Sequence, residues 1–392
     1  MKKIVRFVGL DVHAEMITIA VAEAGEGGEV RSLGNIPNRP ECVHKLIRKT
    51  LREPRGAKTL KVCYEAGPCG YDLYWQLVEL GVHCDVIAPT LIPVKPGDRV
   101  KTNRRDALKL ARCYRAGELT PVWVPGPEQE ALRDLVRARE AAKKDQTRAR
   151  HRLQKFLLRK GLRPEKGVGS WSVRYLQWIK GLRMPAAAEE VVRLDYLNEV
   201  EHCAGRVERL EQSIEEACAG ASDQLREVIK ALQAMRGIKL ISAVTLAVEA
   251  GEFSRFKQAK QLMGYAGNVS SESSSGTGAP QRGPITKTGN SHLRRIITEC
   301  AWAYRHKPGL SKALRARQKG VAPELCEKAW KAQHRLHKKY WRMLSSGKCQ
   351  QQAVTAVGRE MLGFVWDIGR TVENELRSKA LRAAGQGNKA IA

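Results

Sequence analysis

The chain has 392 residues, 43% of them hydrophobic, which is enough for two or three domains with cores of their own. Its 69 Lys and Arg against 41 Asp and Glu leave a net charge of +28, and the isoelectric point is near 9.9. A surplus of that size repels itself in the folded state and is relieved by a polyanion, so the expected partner is DNA or RNA. A basic surface kept only for solubility is disfavoured, because acidic residues serve that purpose better.

No apolar run nears ~20 residues, and Met1-Lys-Lys leads at once into an alternating pattern, so neither a membrane span nor a signal peptide is expected. Ten scattered cysteines form no C-x-x-C pair and no zinc-type spacing with His. They suit reduced core thiols in the cytoplasm, where a DNA partner would make the protein nucleoid-associated.

Alternation predicts strands over Ile4 to Val12, Ile17 to Ala22 and Val30 to Ile36. Helical spacing follows over Cys42 to Leu51. Leu60 to Glu65 is a strand ending in a carboxylate, followed by Gly-Pro-Cys-Gly, a helix over Tyr71 to Leu80, a strand over Val82 to Ala88 and a helix over Arg104 to Ala116. Three hairpin-like strands followed by alternating helix and strand suit an α/β domain over 1–125, with a mixed sheet and flanking helices.

From Glu128 to Lys160 there is neither Gly nor Pro, and charge is dense. Leu132, Leu135, Val136, Leu153, Phe156 and Leu157 form an apolar stripe. After a loop with Pro164, Gly167 and Gly169, the residues Val207, Leu210, Ile214, Leu225, Val228 and Leu232 repeat at helical or heptad spacing. The region 126–234 is expected to be two long helices, as an antiparallel arm or as a coiled coil to another subunit; a plain bundle is the alternative.

A third region, 235–345, begins with a helix–turn–helix-like stretch from Arg236 to Phe256, with Gly251 at the turn. Hairpins of this kind can aim backbone N–H groups at a phosphate. Helices are expected over Leu310 to Lys319, Pro323 to Leu344 and Gln352 to Leu376, the last in a C-terminal segment 346–392 whose final dozen residues look frayed.

Two features carry chemistry. Asp11 in an apolar strand, Glu65 at a strand end and Asp106 at a helix start can converge on one edge of a mixed sheet, where carboxylates hold Mg²⁺ ions for phosphodiester cleavage. Each also has a plain structural reading, as a turn cap or a first-turn acid. The second feature is Asn268-Val-Ser-Ser-Glu-Ser-Ser-Ser-Gly276, hydroxyl-rich and slight enough to bring a nucleophile to a phosphate. It leads through Lys287 into a basic helix bearing Arg294 and Arg295. A flexible linker is the competing reading of the serines.

The chain resembles the transposases of the insertion-sequence family numbered one hundred and ten, the bridge-RNA-guided DNA recombinases, over nearly its whole length. The resemblance rests on Gly9-Leu-Asp11, Tyr64-Glu65-Ala-Gly67, Lys101-Thr-Asn-Arg-Arg-Asp106-Ala, Gly237-Ile, Phe256 with Tyr265-Ala-Gly267, Ser274-Ser275-Gly276, and Ile285-Thr-Lys287-Thr-Gly289-Asn290 with Leu293-Arg294.

It implies an RNase-H-like (RuvC-like) domain with an Asp-Glu-Asp-Asp metal set, then a long helical coiled-coil arm, then a mostly α transposase domain with a catalytic serine. By position the first, second and fourth acids fall on Asp11, Glu65 and Asp106, with Mg²⁺ as the implied cofactor. The third falls on Asn103, whose amide oxygen can ligate without charge; the favoured reading is a site working with three carboxylates, the alternatives being that Asp98 substitutes or that metal binding is weakened.

The catalytic serine falls on Ser275, with Ser273 and Ser274 as rivals. Lys101, Arg104, Arg105, Lys287, Arg294 and Arg295 are the expected nucleic-acid contacts. The implied partners are DNA at element ends and target, a structured non-coding guide RNA, and further copies of the chain as dimers that assemble into a tetramer. The alternatives are a RuvC-like metal nuclease or junction resolvase, and a degenerate transposase that only binds nucleic acid.

Overall fold

The computed structural model describes residues 5–25, 27–52, 59–94, 97, 101–274 and 281–389. The chain forms two compact units, Met1–Val124 and Pro125–Ala392.

In the first unit, β1 (Val5–Val12), β2 (Met16–Glu23) and β3 (Val30–Pro37) form an antiparallel meander. The chain then passes through α1 (Pro40–Arg52), β4 (Thr59–Glu65), α2 (Asp72–Glu79), β5 (His83–Ile87) and α3 (Asn103–Ala116). The sheet order is β3-β2-β1-β4-β5, with β4 parallel to both β1 and β5. The parallel crossover through α1 is why the sheet is mixed.

Alternation places Val8, Leu10, Ile17, Ile19, Val62 and Tyr64 in one buried layer with Val43, Ile47, Leu73 and Leu77 of α1 and α2. The opposite face is lined by small residues. Ala20 and Ala22 meet Ala107 and Ala111 of α3. At Gly9 a Cβ would lie 2.6 Å from the Ala107 carbonyl oxygen and closer still to the Ala111 nitrogen. Only glycine lets α3 lie this near the sheet.

The second unit is helical. It runs through α4 (Pro127–Arg159), α5 (Val173–Gly181), α6 (Ala187–Ala219), α7 (Asp223–Leu232), α8 (Leu240–Ala250) and α9 (Ala259–Tyr265). A hairpin of β6 (Ser270–Ser273) and β7 (Gln281–Ile285) follows, then α10 (Ser291–Ala301), α11 (Lys312–Gln318), α12 (Pro323–Ser345) and α13 (Gln350–Lys389).

The helices α4 and α6, 33 residues each, lie antiparallel. Polar rungs step down one helix as they step up the other. Arg139 bonds Glu211 (2.9 Å), Asp145 pairs with Arg206 (3.1 Å) and Lys160 pairs with Glu189, and just past the end of α6 Glu128 bonds Ser222 (2.7 Å). The far end has its own core, in which Leu153, Phe156 and Leu157 meet Tyr175, Ile179 and Leu197. The near end enters the main core with α7 through α13.

Several expectations are revised. The second arm helix starts at Ala187 and stops at Gly220; Leu225, Val228 and Leu232 belong to a separate helix, α7. The break falls where Glu128 accepts hydrogen bonds from both the amide and the hydroxyl of Ser222. The loop after α4 contains a short helix, α5, capped by Ser172, whose hydroxyl accepts from the Tyr175 amide (3.2 Å).

In the stretch 236–256, α8 is buried from Ala243 to Ala250, and the amides of Phe253 and Ser254 both donate to the carboxylate of Glu373 (2.7 Å each). Those N–H groups are thus satisfied internally and do not face a phosphate. The helix α13 continues to Lys389, past the tail expected to fray.

Candidate acidic site and serine hairpin

In the first unit Asp11 is the second residue after Gly9 on β1, so both point to the α3 side of the sheet. In the parallel pairing of β1 with β4, Leu10 lies opposite Tyr64, which puts Asp11 and Glu65 at the next step, on that same face. The close seat of α3 on Gly9 brings the first turn of that helix over the strand ends. Thr102 caps it, its hydroxyl accepting from the Arg105 amide (3.3 Å), and Asn103 and Asp106 follow on one helical face.

Asp11 is half-buried, and its Oδ2 lies 3.2 Å from His13 Nε2. Burial raises its pKa, His13 and Lys101 pull it down, and the negative charge of Asp106 adds to the rise. Glu65 and Asp106 line one cavity of about 260 Å³ with Lys101, Arg105 and Lys109. Arg104 and Asn103 are exposed and lie outside that lining. Asp98 lies outside the described residues.

Sequence reasoning missed His13 and Lys109. The signal for His13 was its place two residues after Asp11, at the end of the same strand.

Among the described residues, no group of three His, Cys, Asp or Glu side chains stands close enough to hold a metal ion alone. The donors present are hard oxygens, and Asp11 and Asp106 repel each other. That set fits a small hard cation which takes one or two carboxylates and keeps several waters.

In the second unit the serine stretch is flanked by strands. Glu272 pairs with Arg282 and Ser273 with Gln281 across β6 and β7, and Ser271 Oγ donates to the Pro284 carbonyl (3.0 Å). Ser273 and Ser274 are exposed. Ser275 and Gly276 lie outside the described residues.

Past β7 the backbone of Lys287 is left-handed (φ 57°) although the residue is not glycine. Hydrogen bonds hold it there: the Lys287 amide donates to the Gly267 carbonyl (3.1 Å) and the Asn290 amide to that of Tyr265 (2.8 Å). Its side chain is exposed. Held strain of this kind marks candidate functional positions.

The two arginines expected beside it are engaged. Arg294 donates to the Ala266 carbonyl (2.8 Å), and Arg295 pairs with Glu140 (3.0 Å) and Glu299 (2.7 Å).

Beneath them lies a buried ionic network. Glu249, with 0% of its side chain exposed, accepts two hydrogen bonds from Arg137 (2.7 and 2.9 Å) and one from Asn290 (2.7 Å), and Asn290 caps α10 through the Leu293 amide. Glu140 meets Lys144, His292 and Arg295. Burial alone would raise the Glu140 pKa, but those partners outweigh it and hold the carboxyl at about 2.

Among the described residues, no helix is long and apolar enough to cross a membrane.

Residues 229–315 match the family described as Transposase IS116/IS110/IS902 family, and residues 8–160 match a DEDD transposase family of the IS110 type. The DEDD match implies dependence on a divalent metal.

The chain is similar to a putative transposase, y4qE, of Sinorhizobium fredii, with 43% identity over 93% of this chain and 88% of that protein. It is also similar to the transposase for insertion sequence element IS1533 of Leptospira borgpetersenii, with 32% identity over 85% of this chain and 95% of that one. A second putative transposase of Sinorhizobium fredii, y4rJ, is 27% identical over 66% of this chain and 69% of its own length. On these matches the chain belongs to the IS110 family of insertion-sequence transposases, enzymes that cut and transfer DNA.

Proposed function

We propose that the chain is an RNA-guided DNA recombinase working through a phosphoserine link. The Ser275 hydroxyl oxygen attacks a DNA phosphorus, and the Oγ–P bond forms as one strand P–O bond breaks. The departing strand oxygen takes up a proton, and the Ser275 proton passes to solvent or a nearby base. A hydroxyl of the other strand then attacks the phosphoserine, regenerating Ser275, so strands are exchanged without net hydrolysis.

What supports this reading is that Asp11 and Glu65 lie on the face of the mixed sheet that α3 covers, with Asp106 in the first turn of α3 and close enough to Asp11 to repel it, inside the segment matched by the DEDD family. Asp11, Glu65 and Asp106, with the amide oxygen of Asn103, would hold Mg²⁺ between them, one or two carboxylates directly and the others through its waters, and the ion when bound neutralises charge that develops on the phosphate oxygens.

The first unit takes a RuvC-like role and the α4–α6 hairpin that of a coiled-coil arm. Exposed Lys287 binds the phosphate near the serine, while Arg294 and Arg295 shape the surface through the partners they already hold. Lys101, Arg104 and Arg105 bind the strand entering the acidic site. Donor and target are chosen by pairing with a structured non-coding RNA, and the working form is a tetramer of two dimers in the cytoplasm.

The test is Ser275→Ala with the cognate RNA supplied. Recombination and any covalent protein–DNA adduct on denaturing gels are both lost, whereas Ser273→Ala and Ser274→Ala retain them. Full activity in Ser275→Ala rejects the serine assignment; cleavage without an adduct in the unaltered protein favours a plain metal nuclease.

A further inference from the structure

The sequence run His334-Arg-Leu-His-Lys-Lys-Tyr340 has no part in the chemistry above. It lies on α12, whose inner face buries Leu325, Ala329, Ala332, Leu336 and Tyr340. The neighbouring stripe, at spacings of three and four residues, carries Trp330, His334, His337, Lys338 and Trp341.

Trp330 is 38% exposed and Trp341 49%, unusual for the largest apolar side chain on a helix that has a core to face. The Trp341 ring is held in place. Trp341 Nε1 donates to the Arg305 carbonyl (3.0 Å), and His337 beside it is fixed through Nδ1 to the Tyr304 carbonyl (3.0 Å). Trp330 packs edge-on against His334, with ring centroids 4.6 Å apart. Lys338 and Arg342 on the outer side are exposed and have no ion pair among the described residues.

We propose that this face of α12 is a stacking platform for a single strand of DNA. Exposed rings, one of them anchored, flanked by cations with no ion pair among the described residues supply what such binding needs, a π-face for each base and a positive track for the backbone. The two indoles are eleven residues apart, about 16 Å along the axis, or roughly five nucleotide steps of a stacked strand. Duplex DNA does not fit, because its base faces already cover one another.

A second copy of the chain would bring Lys338 and Arg342 against themselves, in a protein already at +28. The two carboxylates on α12, Glu324 and Glu327, are paired with Lys328 and Lys331 and leave the track basic, and the strand is DNA because the family cuts and transfers DNA. The proposal needs only that the chain acts on DNA, and it is independent of Ser275 and of the acidic site.

The test uses the full chain and a fluorescent oligothymidylate of about twelve nucleotides, within the usual range of single-strand sites, in enough salt to screen phosphate contacts. Trp341→Ala and Trp330→Ala each weaken single-strand binding about tenfold and leave duplex affinity within about twofold, while Trp341→Phe keeps most of it. An oligonucleotide carrying 5-iodouracil, irradiated in the complex, gives an adduct on Trp330 or Trp341.

If the alanine variants melt early, Lys338→Glu replaces them and lowers the salt slope of single-strand binding by about one or more. Four outcomes overturn the proposal: unchanged single-strand binding, an equal loss for duplex, a selective loss seen only with an RNA oligomer, or dissociation of an oligomer in sedimentation without a change in DNA binding.

Discussion

The acids of the two units are held in opposite ways. In the helical unit, buried carboxylates are met in full: Glu249 by Arg137 and Asn290, Glu140 by Lys144, His292 and Arg295, and Glu373 by two backbone amides. In the α/β unit, Asp11 has His13 and the charge of Lys101 near it and repels Asp106, while exposed Glu65 and half-buried Asp106 line a cavity with Lys101, Arg105 and Lys109 and form no ion pair among the described residues. Leaving a buried carboxylate unmet is costly. The first kind of acid is therefore part of the framework, and the second kind, half-buried or exposed and not locked in an ion pair, is left open to an incoming ion.

That contrast predicts opposite trades of activity against stability. The largest effect is expected for Asp11→Asn, which lowers DNA strand cleavage about 1000-fold, the worth of several kcal/mol at the reacting phosphate. Its melting temperature stays level or rises, since a repulsion with Asp106 is removed; a fall in melting temperature would make Asp11 a framework acid after all.

Glu249→Ala does the reverse. It empties a fully buried position and takes the acceptor from Asn290 and the counter-charge from buried Arg133 and half-exposed Arg137, lowering unfolding free energy by about 3–5 kcal/mol, measured by denaturant titration. A cost under about 1 kcal/mol would mean that the network is not needed for the fold.

Gly9→Ala comes next, at about 1–3 kcal/mol, because the added methyl pushes α3 off the sheet. It also moves Asp106 away from Asp11, so metal affinity measured by calorimetry weakens with stability. Unchanged metal affinity would uncouple the seat of α3 from the site.

The smallest effect is a slope. The carboxyl of Glu140 is held at about 2 against an ordinary 4.5, so its contribution is whole above about pH 4.5 and fades as pH falls toward 2. Glu140→Gln removes that part of the acid sensitivity, and the stability gap between the two proteins closes across this window. A gap that stays constant with pH would place the contribution in packing.

How much of this was legible in the sequence depended on distance along the chain. Alternation in Val5–Val12 and Met16–Glu23, and the helical start at Asn103, are local patterns, and they marked both the elements and the acids on them. The seat of α3 was not legible, because it depends on Gly9 meeting Ala107 and Ala111 about a hundred residues on. Nor was the bond of Arg137 to Glu249, two residues 112 apart, or the diversion of the Phe253 and Ser254 amides to Glu373. The break after α6 was missed because apolar spacing continues through Leu225 and Leu232, whereas what ends the helix is a contact with Glu128 at the start of the other arm helix. Arg295 looked like a phosphate contact from its type and neighbours, and the carboxylates that occupy it come from elsewhere in the fold.

The arm of α4 and α6 leaves the main core and returns to it, its two helices matched in length and rung by rung. Its reach, about 50 Å at the ordinary rise per residue, is therefore a measurement written twice in the gene, once forward and once in reverse. Excising seven residues from each helix at facing positions would shorten that span by about 10 Å, preserve the faces and leave the chemistry of either unit untouched. Excising them from one helix alone would put every rung beyond the cut out of step. The span is thus an independent dial on the molecule, set by paired edits and by no single one.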